Sequence, residues 1–507
     1  MRLGGEWEFL EGLKFRVNGS IYFNEYKDDF FEKYNVFNQT RQMSSDQTMS
    51  RQYMVDAIFD YDRDFGKHSI KVLQGFNYTN DWFHGLYGDG SRAPTDYIPT
   101  LNASQTEYER VSSYISENLL LSNFGRVQYN YDHKYLFEAS YRYDGSSKFA
   151  TENKWGFFPS FSVGWNLHRE EFWNMNPVST LKVRSSWGQT GNNVLDIEDT
   201  QGQYSSGYNY GLRPGILNTN LANRELLWET TTTFDIGMDL GLFDDKITLV
   251  ADLFNKVVSD RLVNIPLPKQ IGFGSIRANF GSLRTRGIEL ELAATALEVS
   301  DFKWDISLNF TQENMVITEL PENENEKNRI NGGLIYDKDA GEYVMVGGLA
   351  EGERPGGIWA FHSLGVYPTD ESAADAPRDT KVSGPWQNPP YPQEWQQQKV
   401  GGDMIWEDVD GNGIIDDRDL VFMGYKQPDK YGGMTNSFSW KNLSARVVMN
   451  YALGHVISNG FRARANGNSR NRVMTITDAI PEKGLMWWEQ GDNAKYHRYS
   501  VASYWDN

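Results

Sequence analysis

The segment from Leu226 to Leu242 reads LLWETTTTFDIGMDLGL and alternates apolar or small residues with polar residues or glycine. The first set comprises Trp228, Thr230, Thr232, Phe234, Ile236, Met238, Leu240 and Leu242. The second set comprises Glu229, Thr231, Thr233, Asp235, Gly237, Asp239 and Gly241. A period of two residues predicts a long strand with one apolar and one polar face.

The alternation continues after a turn at 243–246, where the returning strand carries Ile247, Leu249, Ala251 and Leu253 on one side. Strands of soluble proteins are usually about 5 to 6 residues long, far shorter than this hairpin. An apolar outer face and a polar inner face are what a β-barrel needs when lipid surrounds it and water fills it. The hairpin therefore predicts part of a transmembrane barrel.

Composition narrows the class of protein. The chain has 507 residues, no cysteine, 14% aromatic residues and a mean hydropathy of -0.60. It contains no continuous apolar run of about 18 residues, which excludes a helical membrane protein but not a barrel with a hydrophilic lumen. The net charge of -19 argues against a nucleic-acid partner. The lack of cysteine excludes a disulfide framework and thiol catalysis.

The period-two pattern recurs along most of the chain. Hairpins are predicted from about Tyr53 to Trp82 and from Phe124 to Tyr143. Further strands are predicted at 15–23, 157–167, 181–187, 288–294, 302–310 and 443–453. Pattern counting gives about 14 strands. We therefore expect an all-β fold: an antiparallel transmembrane β-barrel, partial, with long extracellular loops.

The predicted connections alternate between short and long. Short turns fall at 66–67, 132–134, 243–246, 297–301 and 441–442, and long polar excursions fall at 83–121, 188–225 and 260–285. Outer-membrane barrels show this asymmetry, with tight periplasmic turns and long outer loops. The alternation also requires an even number of barrel strands within the excursion from about 317 to 430. The apparent strand at 358–366 therefore either has a partner or lies within a loop.

One segment in that excursion follows the spacing of a twelve-residue calcium loop. Oxygen ligands are predicted from Asp408, Asp410, Asn412, the Ile414 carbonyl, Asp416 and Asp419. Gly413 lies at the sharp turn, and Ca²⁺ takes about six to eight such oxygens. The last ligand is Asp instead of the usual Glu, and an acidic loop without an ion is the alternative. A structural Ca²⁺ that stiffens a loop is the expected role.

No sequence motif indicates catalysis. The chain lacks G-x-S-x-G, H-E-x-x-H and G-x-x-x-x-G-K-[ST], and its 7 histidines are scattered. Motifs do not exclude a pair of glycosidase carboxylates, because their spacing is set in three dimensions. We predict no catalytic residues and no enzyme activity.

Aromatic clusters stand in segments predicted as loops: Trp82, Phe83, His84 and Tyr87 in one, and Trp386, Tyr391 and Trp395 in another. Such rings could stack on sugars or contact a protein, but loop packing is commoner. They are not assigned to substrate binding.

The two termini lack features that a complete exported barrel requires. The segment 1–7 has no apolar run resembling a secretory signal, and 503–507 stops without a closing amphipathic strand. We expect the chain to be a fragment at both ends.

Several motifs, in order along the chain, resemble the SusC-like TonB-dependent transporters of the Bacteroidetes outer membrane. They are Tyr143–Phe149 (YDGSSKF), Phe158–Trp165 (FPSFSVGW), Trp187–Asn192 (WGQTGN), Trp228-Glu229, Phe280-Gly281, Arg286–Glu289 (RGIE), and the calcium-like loop with Asp419 and Gly424. They extend over nearly the whole chain.

The resemblance implies import of an oligosaccharide, or sometimes a peptide, through a barrel of about 22 strands with an N-terminal plug. It also implies a SusD-like lipoprotein at the outer mouth and TonB at the plug side. The sequence shows no counterpart of the plug, the TonB box, the N-terminal extension or the final strands of that family. Residues 1–507 are therefore expected to be an incomplete receptor barrel domain that does not transport alone.

Two other functions remain open from the residues. The chain could be a secreted, calcium-stabilised β-rich carbohydrate-binding protein or glycoside hydrolase. Ile236, Met238 and Leu240 would then pack beneath a second sheet. A passive porin-like channel is the third alternative.

Overall fold

The computed structural model describes residues 1–36, 39–105, 109–211, 213–379, 399–458 and 489–492. This part of the chain is nearly all β, and its main sheet has 14 strands. None of the helices in the described ranges has the length and hydrophobicity needed to cross a bilayer. The all-β class and the predicted strand number are confirmed.

The main-sheet strands are numbered here in chain order. They are β1 (Arg2–Leu10), β2 (Leu13–Glu32), β3 (Gln42–Phe65), β4 (His68–Ser91), β5 (Arg110–Tyr131), β6 (Tyr135–Ser146), β7 (Trp155–Asn166), β8 (Val178–Asn192), β9 (Glu229–Leu242), β10 (Ile247–Ser259), β11 (Ser282–Val299), β12 (Phe302–Glu319), β13 (Lys430–Trp440) and β14 (Leu443–Leu453). Each strand lies beside the next one along the chain. In this meander order, each strand pairs with the strand that follows it in the chain.

The chain divides into two compact units, 1–282 with 288–305 and 283–287 with 306–507. The first unit contains β1 to β10 and the helix α1 (Ile197–Gln201). Its loops add the pairs Gln203–Tyr210 with Arg213–Asn220 and Leu262–Pro266 with Ser275–Asn279. Its 3-10 helices are Leu101–Ala103, Leu167–Arg169 and Lys269–Ile271.

The second unit contains β13, β14 and the segments before them. Three antiparallel pairs lie there: Gly333–Asp337 with Glu342–Val346, Gly357–Phe361 with Leu420–Tyr425, and Ser363–Val366 with Met404–Trp406. A parallel pair joins Arg378–Asp379 to Ile414–Ile415. The 3-10 helices are Glu326–Asn328 and Asp417–Asp419. The main sheet passes directly from β12 to β13, so the predicted strand at 358–366 belongs to the loop.

The first unit has a two-sided sheet. Ile236 lies opposite Ser185 and Leu253, whereas Gly237 lies opposite Arg184 and Asp252. We call the side of Ile236 the apolar face and the side of Arg184 the polar face. Ile236 is 46% exposed and Leu253 is 58% exposed, so these side chains are not sealed beneath a second sheet. The soluble β-rich alternative therefore loses the packing that it required.

Aromatic rings follow the apolar face near the short turns. His68 lies 5.0 Å from Tyr131, Tyr131 lies 6.3 Å from Tyr135, and Tyr135 lies 6.3 Å from Trp165, between ring centroids. These rings come from β4, β5, β6 and β7 at matching register positions. A row of this kind is typical of the aromatic girdle at a membrane interface.

Residues in the left-handed backbone conformation allow the tight turns between neighbouring strands. Asp132 and His133 have φ of 51° and 54°, and Asp244 and Asp245 have φ of 57° and 58°. Asp and His tolerate this region better than most side chains. The turns predicted at 66–67, 132–134, 243–246 and 441–442 all join neighbouring strands, and the turn predicted at 297–301 narrows to 300–301.

Several strands are longer than the sequence predicted. The segment from Phe83 to Ser91 was expected to be a loop but continues β4, and β5 begins at Arg110. Backbone pairing of β4 with β3 runs from His68 to Ser91 without interruption. The extension gives no period-two signal, because large apolar side chains lie on both faces: Phe83 and Tyr87 on one, and Trp82 and Leu86 on the other.

Three of the motifs that carry the family resemblance meet in a small core of the first unit. Phe149, Phe158 and Trp228 come from these motifs, and they pack with the buried side chains of Leu195, Leu226 and Leu262. The Trp228 ring lies 4.9 Å from Phe149 and 5.6 Å from Phe158, and its Nε1 donates to the Lys154 carbonyl at 3.2 Å.

This core corrects one prediction from the alternation. Trp228 was expected on the apolar face of the strand, but the strand begins at Glu229 and Trp228 is only 9% exposed. The ring packs within the loop core because it lies beyond the end of the strand ladder.

Gly191 leaves space for the Phe158 ring in this core. A Cβ atom at Gly191 would lie 1.9 Å from Cζ of Phe158, whereas no atom lies within 4 Å of a Cβ at Gly19, another strand glycine. In the complete gene product that contains this chain, we expect Gly191→Ala to destabilise the barrel by about 1–3 kcal/mol because Phe158 must move. The midpoint of thermal loss of the fast-migrating folded band in SDS gels measures this change.

Gly19→Ala is the matched control and should leave that midpoint nearly unchanged. Equal shifts in the two variants would show that the close approach to Phe158 does not matter.

Candidate functional site

The calcium-like loop lies in the second unit, between the short strand Met404–Trp406 and the strand Leu420–Tyr425. Carboxylate oxygens of Asp408, Asp410 and Asp419 lie within 4.8 Å of one another. The backbone N–H groups of Asn412 and Gly413 donate to the two Asp408 oxygens at 3.1 and 2.8 Å. The loop is therefore wound around Asp408.

Asp419 is the buried member of this group, with 0% exposure. Its oxygens accept from the backbone N–H groups of Val409 and Asp416, each at 2.8 Å. The second contact caps the 3-10 helix Asp417–Asp419. Burial raises the pKa of Asp419 above its ordinary value.

The other predicted ligands are arranged differently. Asn412 Oδ1 accepts from the Ile414 N–H at 2.7 Å, and the Ile414 backbone belongs to the pair with Arg378–Asp379. The Asp416 carboxylate pairs with the guanidinium of Arg418. The structure thus brings together three of the six predicted ligands, and Asp416 is directed to an arginine instead.

Tyr343 is a neighbour of this loop that the sequence did not single out. Its hydroxyl donates to Asp410 Oδ2 at 2.8 Å, and the Arg418 guanidinium lies 5.9 Å from its ring centroid. The hydrogen bond to Asp410 raises the pKa of Tyr343. No spacing signal could have found this contact, because 67 residues separate the two partners.

The donor set suits a hard cation only in part. Three clustered carboxylates offer the oxygen ligands that Ca²⁺ prefers, and Asp408 is already oriented by backbone N–H groups. The remaining ligands would come from Asn412, the Ile414 carbonyl and water.

A second candidate region is the polar face of the first unit, where Arg184 meets three carboxylates. Its guanidinium lies 3.4 Å from Asp235, 3.2 Å from Asp239 and 2.8 Å from Asp252. Lys182 also approaches Asp239, at 3.4 Å. The strand register dictates this cluster, because Gly237 between Arg184 and Asp252 leaves space for the guanidinium.

Charged and amide side chains continue from this cluster across the face. Gln128 donates to Glu138 at 2.5 Å, and Lys71 pairs with Asp62 at 2.8 Å. A groove of about 460 Å³ runs along this part of the sheet. A face of paired charges is compatible with water or with a polar protein segment, and not with lipid.

Aromatic rings appear on the polar face where β4 and β5 extend. The ring of Tyr114 lies over Gly85, and a Cβ at Gly85 would lie 2.3 Å from Tyr114 Cε1. Phe83 stacks on Tyr114 with ring centroids 5.4 Å apart. Tyr114 is 59% exposed, so one side of this ring pair faces solvent. We call Phe83 and Tyr114 the aromatic pair.

The aromatic cluster predicted at 82–87 is thus split by strand alternation. Phe83 and Tyr87 lie on the polar face, whereas Trp82 and His84 lie on the apolar face. The cluster of Trp386, Tyr391 and Trp395 lies outside the described residues.

Comparison with known proteins is consistent with this architecture. Residues 1–468 match the family model described as TonB dependent receptor-like, beta-barrel. TonB-dependent receptor P3 of Formosa agariphila is 29% identical over 439 residues, which cover 85% of this chain and 41% of the relative. TonB-dependent receptor SusC of Bacteroides thetaiotaomicron is 29% identical over 391 residues, covering 73% of this chain and 35% of the relative.

A solved structure, the RagAB peptide importer in the closed-closed state, has the same fold. The TM-score is 0.75 at 18% identity, covering 98% of this chain and 52% of that chain. The chain spans less than half the length of these two curated relatives. The motif resemblance to SusC-like transporters is confirmed, and the chain belongs to the TonB-dependent receptor β-barrel family.

Proposed function

We propose that this chain forms part of the β-barrel of a nutrient importer in the outer membrane of a Gram-negative bacterium of the Bacteroidetes. The cargo would be an oligosaccharide or a peptide. The observation that carries the proposal is the two-sided sheet, with exposed Ile236 and Leu253 on one face and the Arg184 cluster on the other. Lipid requires the first face, and a water-filled or plugged lumen requires the second.

The proposed partners follow from the family. A SusD-like surface lipoprotein would cover the outer mouth, and TonB would supply energy through a plug that occupies the lumen. Both cargo classes follow from the family resemblance, and the solved structure that shares this fold is described as a peptide importer. No bond of the cargo is made or broken in this function, so the proposal includes no catalytic residue.

The aromatic pair is the proposed cargo contact of the described lumen face. Tyr114 and Phe83 present an exposed ring surface on the polar face. Ser116 lies opposite Phe83, and Thr48 lies opposite Gly85, so hydroxyl groups flank the rings. Rings beside hydroxyl groups can bind a sugar by stacking and hydrogen bonding, or an aromatic side chain of a peptide by stacking.

A structural Ca²⁺ in the loop 408–419 is a further part of the proposal. Clustering of Asp408, Asp410 and Asp419 supports it, because three unneutralised carboxylates repel one another unless a cation lies between them. The ion would fix the loop that joins two short strands of the second unit.

Growth tests the transport proposal directly. Deleting the complete gene should abolish growth on one class of polymer from a panel of neutral oligosaccharides and peptides, and the plasmid-borne gene should restore it. Deleting tonB in the same strain should give the same loss. Normal growth of the deletion strain on every cargo would refute import, and uptake that survives tonB deletion would indicate a passive channel.

Removing a ring tests the aromatic pair. Tyr114→Ala should raise the half-saturation concentration for uptake of the identified cargo about 5-fold, because one stacking contact contributes about 1 kcal/mol. Leu86→Ala, an exposed position on the opposite face of β4, is the control and should not change it. Equal uptake curves for the unmodified protein, Tyr114→Ala and Leu86→Ala would show that the aromatic pair does not bind the cargo.

Calcium titration of the purified complete protein tests the loop. One Ca²⁺ should bind, and at 100 times its dissociation constant it should stabilise the protein by about 2.7 kcal/mol. Asp408→Asn combined with Asp410→Asn should abolish binding, while Glu342→Gln, an exposed carboxylate in the same unit, should not. Absence of calorimetric heat at millimolar Ca²⁺ would show that the acidic loop holds no ion.

A further inference from the structure

Arg51 occupies an unusual place on the apolar face. On this face of β3, the side chains that lead from the short turn toward Arg51 are those of Tyr61, Phe59, Ala57, Val55 and Tyr53. Arg51 is the first charged side chain after that run. The register places it between Phe23 of β2 and Trp82 of β4. Arg51 therefore marks the level at which the apolar face of these strands ends.

The guanidinium of Arg51 is held by an aromatic ring and not by an acid. It lies 4.0 Å from the ring centroid of Trp82, and its Nε is buried without a hydrogen-bond partner. No ion pair of Arg51 occurs within the described ranges. A guanidinium has five N–H donors, so this one retains donor capacity that the protein does not use.

Four arginines of the polar face are neutralised within the protein. Arg16, Arg110, Arg142 and Arg184 each pair with an aspartate. Arg51 has no such partner among the described residues.

Two acids lie near Arg51 on the apolar face, but amides hold them. Glu25 accepts from Gln47 Nε2 at 2.7 Å, and Glu117 accepts from Asn80 Nδ2 at 2.8 Å. Neither carboxylate comes within ion-pair distance of Arg51 among the described contacts. The positive charge of Arg51 thus remains available to an external anion.

Arg63 shows where this level lies in the membrane. It follows Arg51 by 12 residues on the same face of β3 and lies 5.2 Å from the ring centroid of Phe65, near the short turn. Twelve strand residues extend about 40 Å, which is about 28 to 33 Å along the membrane normal at a tilt of about 35–45°. The apolar band of outer-membrane barrels is about 25 Å tall. The two arginines therefore lie just beyond opposite edges of that band.

We propose that Arg51 and Trp82 bind the phosphate group of an outer-leaflet lipid headgroup. Arginine matches phosphate with paired N–H donors, and an indole ring at the interface places its apolar part toward the acyl chains. The His84 ring, 5.8 Å from Trp82, extends this surface toward the long loops. The choice of leaflet rests on the orientation in the proposed function, with long loops outside.

Native mass spectrometry of the delipidated, complete protein in detergent tests this site, with Kdo2-lipid A as the probe. We expect Arg51→Gln to raise the apparent dissociation constant at least about tenfold, because a charge-assisted contact is lost. Arg51→Lys should retain part of the binding, because charge remains but the planar fork is lost. Trp82→Leu should weaken binding as well.

Arg63→Gln is the matched control, since it removes an arginine over a ring on the same strand and face. Arg63→Gln should bind the probe as tightly as the unmodified protein does. Lipid A without its two phosphates should bind to the unmodified protein no more tightly than intact lipid A binds to Arg51→Gln. Inorganic phosphate should not compete, because a headgroup site also needs the acyl chains.

Equal losses in Arg51→Gln and Arg63→Gln, or undiminished binding by Arg51→Gln, would overturn the proposal. Competition by inorganic phosphate would also overturn it, in favour of a free-anion site. Heat-dependent mobility in SDS gels verifies that each variant is folded. Lipid binding is measured without cargo or TonB, so this result is independent of the transport test.

Discussion

The main constraint on this chain is that lipid offers no hydrogen-bond partner to a peptide group. Every backbone N–H and C=O within the apolar band must be paired by a neighbouring strand. The uninterrupted ladders between β3, β4 and β5 meet this requirement over more than 20 residues of each strand. Once the strands are paired, alternation forces every second side chain into lipid and the others toward the interior.

The two faces follow different rules as a result. On the interior face, charges are tolerated because they neutralise one another, as Arg184 does with Asp252 and its neighbours. On the outer face, charge is confined to the edges of the band, where Arg51 and Arg63 lie over aromatic rings. Above the band, both faces contact water, and the interior face gains the aromatic pair of Phe83 and Tyr114.

The family motifs have a structural explanation in the loop core. Phe149, Phe158 and Trp228 belong to three separate motifs and pack on one another, and Gly191 from a fourth motif leaves room for Phe158. These four motifs therefore supply packing for the loop core of the first unit. The proposed cargo contact, Phe83 and Tyr114, lies outside these motifs.

The sequence by itself determined the all-β class, the two faces, the short turns and the spacing of the acidic loop, because each depends on residues close together in the chain. Only the tertiary structure decided how far the strands extend past the band, since apolar side chains on both faces of β4 there give no period-two signal. It also decided which side chains meet across strands: Asp408, Asp410 and Asp419 gather while Asp416 turns to Arg418, and Trp228 leaves the apolar face for a core. Such contacts join residues far apart in the chain, and their geometry arises only when strand register fixes the distances between them.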